Sequence, residues 1–304
     1  MREIGNQYKN DSRIDLSGFL ARARLHQSKF RALQLGLDYD EYGNYLKTED
    51  AQKGLNFYGG FGVIDAVKRR YKKYSKGLYA NMLRSEHIPF NIFIPFNSDS
   101  SSKEYLAKVL NEFLNHKIKS IDRIEIEYAP AENKKYLDDK TSFDTYIEYT
   151  HLDGFTGIIG IEVKYTEQGY KLNPKSTEAD GLHNGTSKYF RISDKCNLYK
   201  AGSHQKLITD EFRQIWRNHL LGEYMLHVDS EKFKHFTSIT LFPEGNTHFK
   251  HHSKEYMDML IDNNNKFIPI TYEAFFEACL KHCPSSDYKE WIKYLYDRYI
   301  VVNE

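Results

Sequence analysis

The stretch FDTYIEYTHLDGFTGIIGIEVKYTE, residues 143–167, most constrains what this chain can fold into. Apolar and polar residues alternate on either side of Leu152-Asp153-Gly154, the pattern of two half-buried strands joined by a tight turn. A three-residue loop with glycine in the left-handed position pairs His151 with Phe155, and hence Asp144 with Glu162. Side chains alternate along a strand, so Asp144, Tyr146 and Glu148 share a face with Glu162 and Lys164. Phe143, Ile147, Tyr149, Ile159, Ile161, Val163 and Tyr165 fall on the opposite, core face. A slip of one residue would bury the charges, so the apolar pattern itself fixes the register.

That register sets two carboxylates opposite each other, which destabilises a sheet unless something compensates. A divalent cation is one such partner. Magnesium takes one or two carboxylates, keeps water ligands and assists phosphoryl chemistry. Lys164 beside Glu162 then adds a fixed positive charge for the attacking water or the transition state. The plain alternative is a cross-strand ion pair on a solvated face, and spacing alone does not choose between the two.

The rest of the sequence sets the context. A chain of 304 residues suits one large domain or two small ones. Its 43 basic and 42 acidic residues exclude a globally basic nucleic-acid coat, though not a local basic groove. Cys196, Cys279 and Cys283 are too few and too odd for a disulfide scaffold, and core packing is the reading for the last two. No run reaches 18 apolar residues and the first residues lack an apolar signal region, so no membrane span and a cytoplasmic location are expected.

Helical periodicity marks residues 15–37, with Asp15 or Ser17 as cap, and one or two helices over 54–91, ended by Pro89. SSSKEYLAKVLNEFLNHKI reads as an amphipathic helix with serine caps. Strand patterns follow at SIDRIEIEYA, TSFDTYIEYT and GIIGIEVKYT. Residues 168–204 read as a long polar excursion. LITDEFRQIWRNHLLGEYML is a helix, FTSITLFPEG a buried strand, and three helical stretches complete the chain. The expected organisation is a helical extension over 1–80 and an α/β domain over 81–304.

The pattern D-x17-E-V-K on strand–turn–strand resembles the PD-(D/E)xK nuclease superfamily. SFDTYIEYT…GFTGIIGIEVKYTE, with EDAQKGLNF, NMLRSEHIPFN, QIWRNHLL and TLFPEGN…FIPITYEAFFEA, is similar to a family of bacterial restriction endonuclease-like proteins within it. The resemblance implies an α/β restriction-endonuclease-like core, a mixed sheet flanked by helices in the order αβββαβ. It implies Mg²⁺-dependent hydrolysis of DNA, with Mn²⁺ as a substitute, and a role in defence. Asp144 and Glu162 would be metal ligands and Lys164 the catalytic lysine. Glu86, on the helix before the sheet, matches an acidic or amide position that family members fill with glutamine. Gln214 opens the QIWRNHLL match, on a helix that in this superfamily often supplies a polar side chain to the site, and Arg217 shares its face.

Glu148 and Glu167 are the nearest further carboxylates. The basic run KRRYKKYSK offers Lys68, Arg69, Arg70, Lys72 and Lys73 for phosphate contacts, or a solvated helix face. THFKHH suits no standard zinc site and reads as an exposed cluster. Cutting both strands of a duplex favours a two-fold dimer. No methyltransferase or specificity-subunit partner is legible in the sequence. A silent nuclease fold that only binds, and an enzyme acting on RNA, are the competing readings.

Overall fold

A computed structural model describes residues 18–169, 171–263 and 266–302. The amino-terminal part holds α1 (Phe19–Lys29), α2 (Thr48–Gln52), α3 (Val63–Arg70), α4 (Lys76–Ala80), α5 (Ile88–Phe93) and α6 (Ser100–Asn111). Next come β1 (Ile118–Tyr128), β2 (Phe143–His151) and β3 (Thr156–Val163). After β3 the chain forms α7 (Thr177–His183), α8 (Lys188–Cys196), α9 (His204–Leu207) and α10 (Arg213–Val228). It closes with β4 (Phe233–Phe242), α11 (Thr247–Met259), β5 (Phe267–Thr271), α12 (Tyr272–Lys281) and α13 (Ser286–Tyr299). The proposed caps Asp15 and Ser17 lie outside the described residues.

The five strands form one mixed sheet in the order β1-β2-β3-β4-β5. β1, β2 and β3 are antiparallel, whereas β4 runs parallel to both β3 and β5. A hairpin needs only the three-residue turn at Gly154, whose φ is +89°. The parallel pairs need crossovers, which α7–α10 and α11 supply. The expected register holds: Thr145 pairs with Ile161, and His151 donates its N–H to Phe155 O at 2.8 Å.

Both sheet faces are covered. Ile147, Ile159, Ile161, Val163, Ile239 and Leu241 share one core with residues of α6, α12 and α13. That core also takes in Ala23, Phe30, Leu46 and Phe57, so the amino-terminal helices pack into it. Tyr146, Ile158 and Phe236 join Ile215, Trp216 and Leu220 of α10 in a second core on the other face. The α10 side chains therefore cover part of the polar face of the hairpin, with Asp144, Glu162 and Lys164 at one end of it and Glu148 further along.

Several expectations are corrected. Phe143 packs on the site-bearing face, because Gly160 leaves a hole there: a Cβ at Gly160 would lie 2.4 Å from the Phe143 ring. Pro89 opens α5 rather than ending a helix, since its missing N–H is not needed in a first turn. The cap of α6 is Asp99, which accepts from Ser102 N–H at 2.8 Å. Residues 168–204 contain α7 and α8, whose Leu182, Tyr189 and Ile192 pack into the α10 core. β5 departs from the helix-only reading of the last segments. Pro269 interrupts its pattern, and an edge strand tolerates proline where an inner one does not.

Candidate active site

Asp144, Glu162 and Lys164 meet at the end of the sheet where β2 begins and β3 finishes. One step beyond the Thr145–Ile161 pair, Asp144 stands opposite Glu162. Asp144 Oδ2 accepts Val163 N–H at 2.7 Å, so the carboxylate closes the ladder where backbone pairing stops. Lys164 lies just past β3, and its backbone is held from two sides. Its N–H donates to Leu241 O at 2.8 Å, and its carbonyl accepts Tyr272 OH at 2.6 Å. Fixing the main chain in this way limits the side chain to few directions.

Lys164 Nζ donates to Glu162 Oε1 at 2.5 Å and to Gln214 Oε1 at 2.6 Å. Asn218 Nδ2 donates to Glu162 Oε2. Glu162 and Lys164 are each only 4% exposed, so this pair is desolvated and its geometry is fixed by hydrogen bonds. Gln214 and Asn218 are four residues apart on α10, one above the other on the face that meets the sheet. Arg217, expected to share the site face with Gln214, instead pairs with Asp139 and Glu178 at 2.8 Å and donates to Thr141 Oγ1.

A third carboxylate completes the row. The pairs Ile126–Thr145 and Tyr128–Phe143 bracket Glu127 opposite Asp144. Glu127, Asp144 and Glu162 therefore lie abreast on three adjacent strands. Glu127 adopts a left-handed backbone, φ +57°, rare for a non-glycine residue and costing about 1–3 kcal/mol. Desolvation and the charges of Glu162 and Glu86 push its carboxyl up to about 7. Burial, with Glu162 and Glu127 alongside, pushes the Asp144 carboxyl well above its usual range. Burial alone would lower the Lys164 ammonium, but Glu162 and Asp144 outweigh it and raise it. Three carboxyls thus crowd one lysine, which is why Asp144 and Glu127 resist ionisation without a cation, and every candidate metal donor among them is an oxygen, the set that suits Mg²⁺.

These groups line a cavity of about 1010 Å³ that also reaches Arg24, Tyr42, Asn44 and Arg84 of the amino-terminal region. Glu86 lines it too, but from a 3₁₀ turn (Ser85–His87) rather than a helix, and it pairs with Arg84. Glu167 lines it while accepting Tyr165 N–H at 2.8 Å and Ser85 N–H at 3.2 Å. Glu148 is elsewhere, bound to Tyr146 OH, Arg123 and Lys232.

The basic run divides. Lys68, Arg69 and Arg70 are exposed at the last turn of α3, and Lys72 and Lys73 are exposed after it. Arg70 Nη2 donates to Glu127 O at 2.9 Å, which brings the run beside the carboxylate row without lining the main cavity. Sequence reasoning missed Glu127 and Asn218. The i, i+4 spacing from Gln214 was a usable signal for Asn218. For Glu127 the signal was absent until the β1–β2 register was known.

A sequence profile described as that of the PD-(D/E)XK nuclease superfamily matches residues 9–301, nearly the whole chain. No curated protein matches. No solved structure matches.

Proposed function

Because this chain belongs to the PD-(D/E)XK nuclease superfamily, we propose that it is a metal-dependent endonuclease that hydrolyses phosphodiester bonds of DNA, with Mg²⁺ as its cation and Mn²⁺ able to replace it. One observation carries the reading: opposed Asp144 and Glu162 carboxylates with the Lys164 ammonium 2.5 Å from Glu162, all opening on one large cavity. Asp144 and Glu162 would hold the cation, whose chemistry when bound is Lewis-acid polarisation of the phosphoryl oxygen. Lys164 carries a positive charge to the reacting phosphate and orients the attacking water. Gln214 aims the Lys164 ammonium, and Asn218 fixes the free oxygen of Glu162. Lys68, Arg69, Arg70, Lys72 and Lys73 are proposed to bind backbone phosphates beside the cleft. Two copies arranged about a two-fold axis would address the two strands of a duplex. The defence role rests on analogy with restriction enzymes.

Purified protein incubated with plasmid, single-stranded DNA and RNA, under Mg²⁺, Mn²⁺ or EDTA, tests this directly. Metal-dependent cutting of DNA that disappears in Asp144→Ala and Lys164→Ala is the expected result. Glu162→Gln should keep the fold and lose orders of magnitude in rate. Cutting of RNA alone would reassign the substrate, and binding without cutting under every condition would sink the enzyme reading.

A further inference from the structure

The far end of the β2–β3 hairpin holds a second group of metal-ligating side chains. His151 at the end of β2, Asp153 in the turn and His235 near the start of β4 bring one ligand atom each within 4.8 Å of the others. His151 Nδ1 is 2.9 Å from Asp153 Oδ1, and His235 Nε2 is 2.8 Å from Asp153 Oδ2. The two imidazoles stack at 3.9 Å with an interplanar angle of 25°. Asp144 and His151 are the second and last residues of β2, so at a rise of about 3.3 Å per residue this cluster sits roughly 23 Å from the carboxylate row.

We propose that His151, Asp153 and His235 form a separate site for a zinc-like transition-metal ion, with solvent completing its coordination. Two imidazoles and a carboxylate are the ligand types such an ion takes, three from protein and one position open. The 2.8–2.9 Å nitrogen–oxygen spacings are those of hydrogen bonds to the two Asp153 oxygens; a tetrahedral ion with bonds of about 2.0–2.1 Å needs donors about 3.3–3.4 Å apart, so its entry would replace these contacts with an opening of about half an ångström. The carboxylate is already oriented: Phe155 N–H donates to Asp153 Oδ1 at 3.0 Å, the outer contact that fixes a ligand before the ion arrives. All three side chains are partly or fully exposed, so the ion has a path in.

The surroundings set the selectivity. Lys117, Lys234 and Lys266 outnumber the one acidic residue, Glu223, along an adjoining cavity of about 210 Å³ that both histidines also line. Their positive charge penalises an ion held by charge alone, as Mg²⁺ would be, and leaves an advantage to an ion bound through imidazole nitrogen. The consequence for the fold is a clasp. One ion would join the ends of β2 and the turn to β4, stitching a hairpin to the strand that is parallel to it.

The test titrates the metal-free full-length protein with Zn²⁺ by calorimetry in excess Mg²⁺. One equivalent should bind, and His235→Ala and Asp153→Asn should each weaken it at least tenfold. Asp144→Ala should leave it unchanged, as should His248→Ala/His252→Ala, which removes a second close histidine pair. Melting without metal checks that each variant folds. On the wild-type chain, Zn²⁺ should shift the imidazole NMR signals of His151 and His235 first, a readout that needs no variant. Absence of Zn²⁺ uptake, equal uptake in His235→Ala, or early shifts at other histidines would each overturn the proposal. None of these outcomes depends on whether the carboxylate site cuts DNA.

Discussion

Glu127 stands directly opposite Asp144 across the β1–β2 ladder, and its left-handed backbone is tolerated where a strand residue would ordinarily be extended. The pair, with Glu162 beyond it, concentrates three carboxylates at one sheet end against the single ammonium of Lys164. Glu127→Gln removes one of those charges without changing shape. The metal-free variant should melt higher than the parent at pH 8, while Mn²⁺ binding followed by electron paramagnetic resonance should weaken about tenfold. Unchanged Mn²⁺ affinity would remove Glu127 from the site.

The same charge crowding dictates how stability depends on pH. The Glu127 carboxyl titrates at about 7 in the folded chain against a usual 4.5, so between those values the folded state holds a proton that the unfolded state has lost. Stability is then fully present below about pH 4.5 and declines as pH rises through about 7. At 1.36 kcal/mol per unit the loss is about 3 kcal/mol, and Asp144 adds to it with the same sign. Urea unfolding of metal-free protein from pH 5 to 8 should show the decline, and Mg²⁺ should reduce it above pH 7.

Gln214 touches Lys164 in the site, and we propose that it acts through that contact. Its side-chain oxygen is the second acceptor of the ammonium, and a hydrogen bond to a charged group is worth about 1.5–3 kcal/mol. Gln214→Ala should therefore lower kcat about 10- to 100-fold with KM nearly unchanged, and Gln214→Glu should restore part of it. An equal loss in KM would indicate substrate contact instead.

Arg217 makes the opposite case on the same helix. It binds Asp139 and Glu178 rather than the site, so Arg217→Met should cost stability, about 2–3 kcal/mol, by taking the cation from the partly buried Asp139, while Glu178 keeps its pair with Arg213. Cleavage per folded molecule should be unaffected. Chemical denaturation beside active-site titration separates the two effects.

Lys72 and Lys73 are exposed and no part of the folded core rests on them. Lys72→Glu/Lys73→Glu should leave the melting temperature unchanged and weaken DNA binding. The slope of log affinity against log salt should fall by about 0.9 for each phosphate that is no longer neutralised. An unchanged slope would mean the basic run is only a solvated surface.

The sequence alone determined the hairpin and its register, because a period of two leaves only one way to keep Ile147, Ile159, Ile161 and Val163 on one side. It thereby placed Asp144 opposite Glu162 with Lys164 beyond, while Gln214 came into view only through the family resemblance of QIWRNHLL. Tertiary structure decided the rest. Glu127 joins the row through the pairing of a third strand, and Asn218 reaches Glu162 because α10 crosses that face. Arg217 turns away because Asp139 and Glu178, distant in the chain, compete for it. The physical reason is range. Alternation and helical periodicity are local and visible in a few residues, whereas which strand lies beside which, and which charge finds which partner, depends on contacts between segments far apart in the chain.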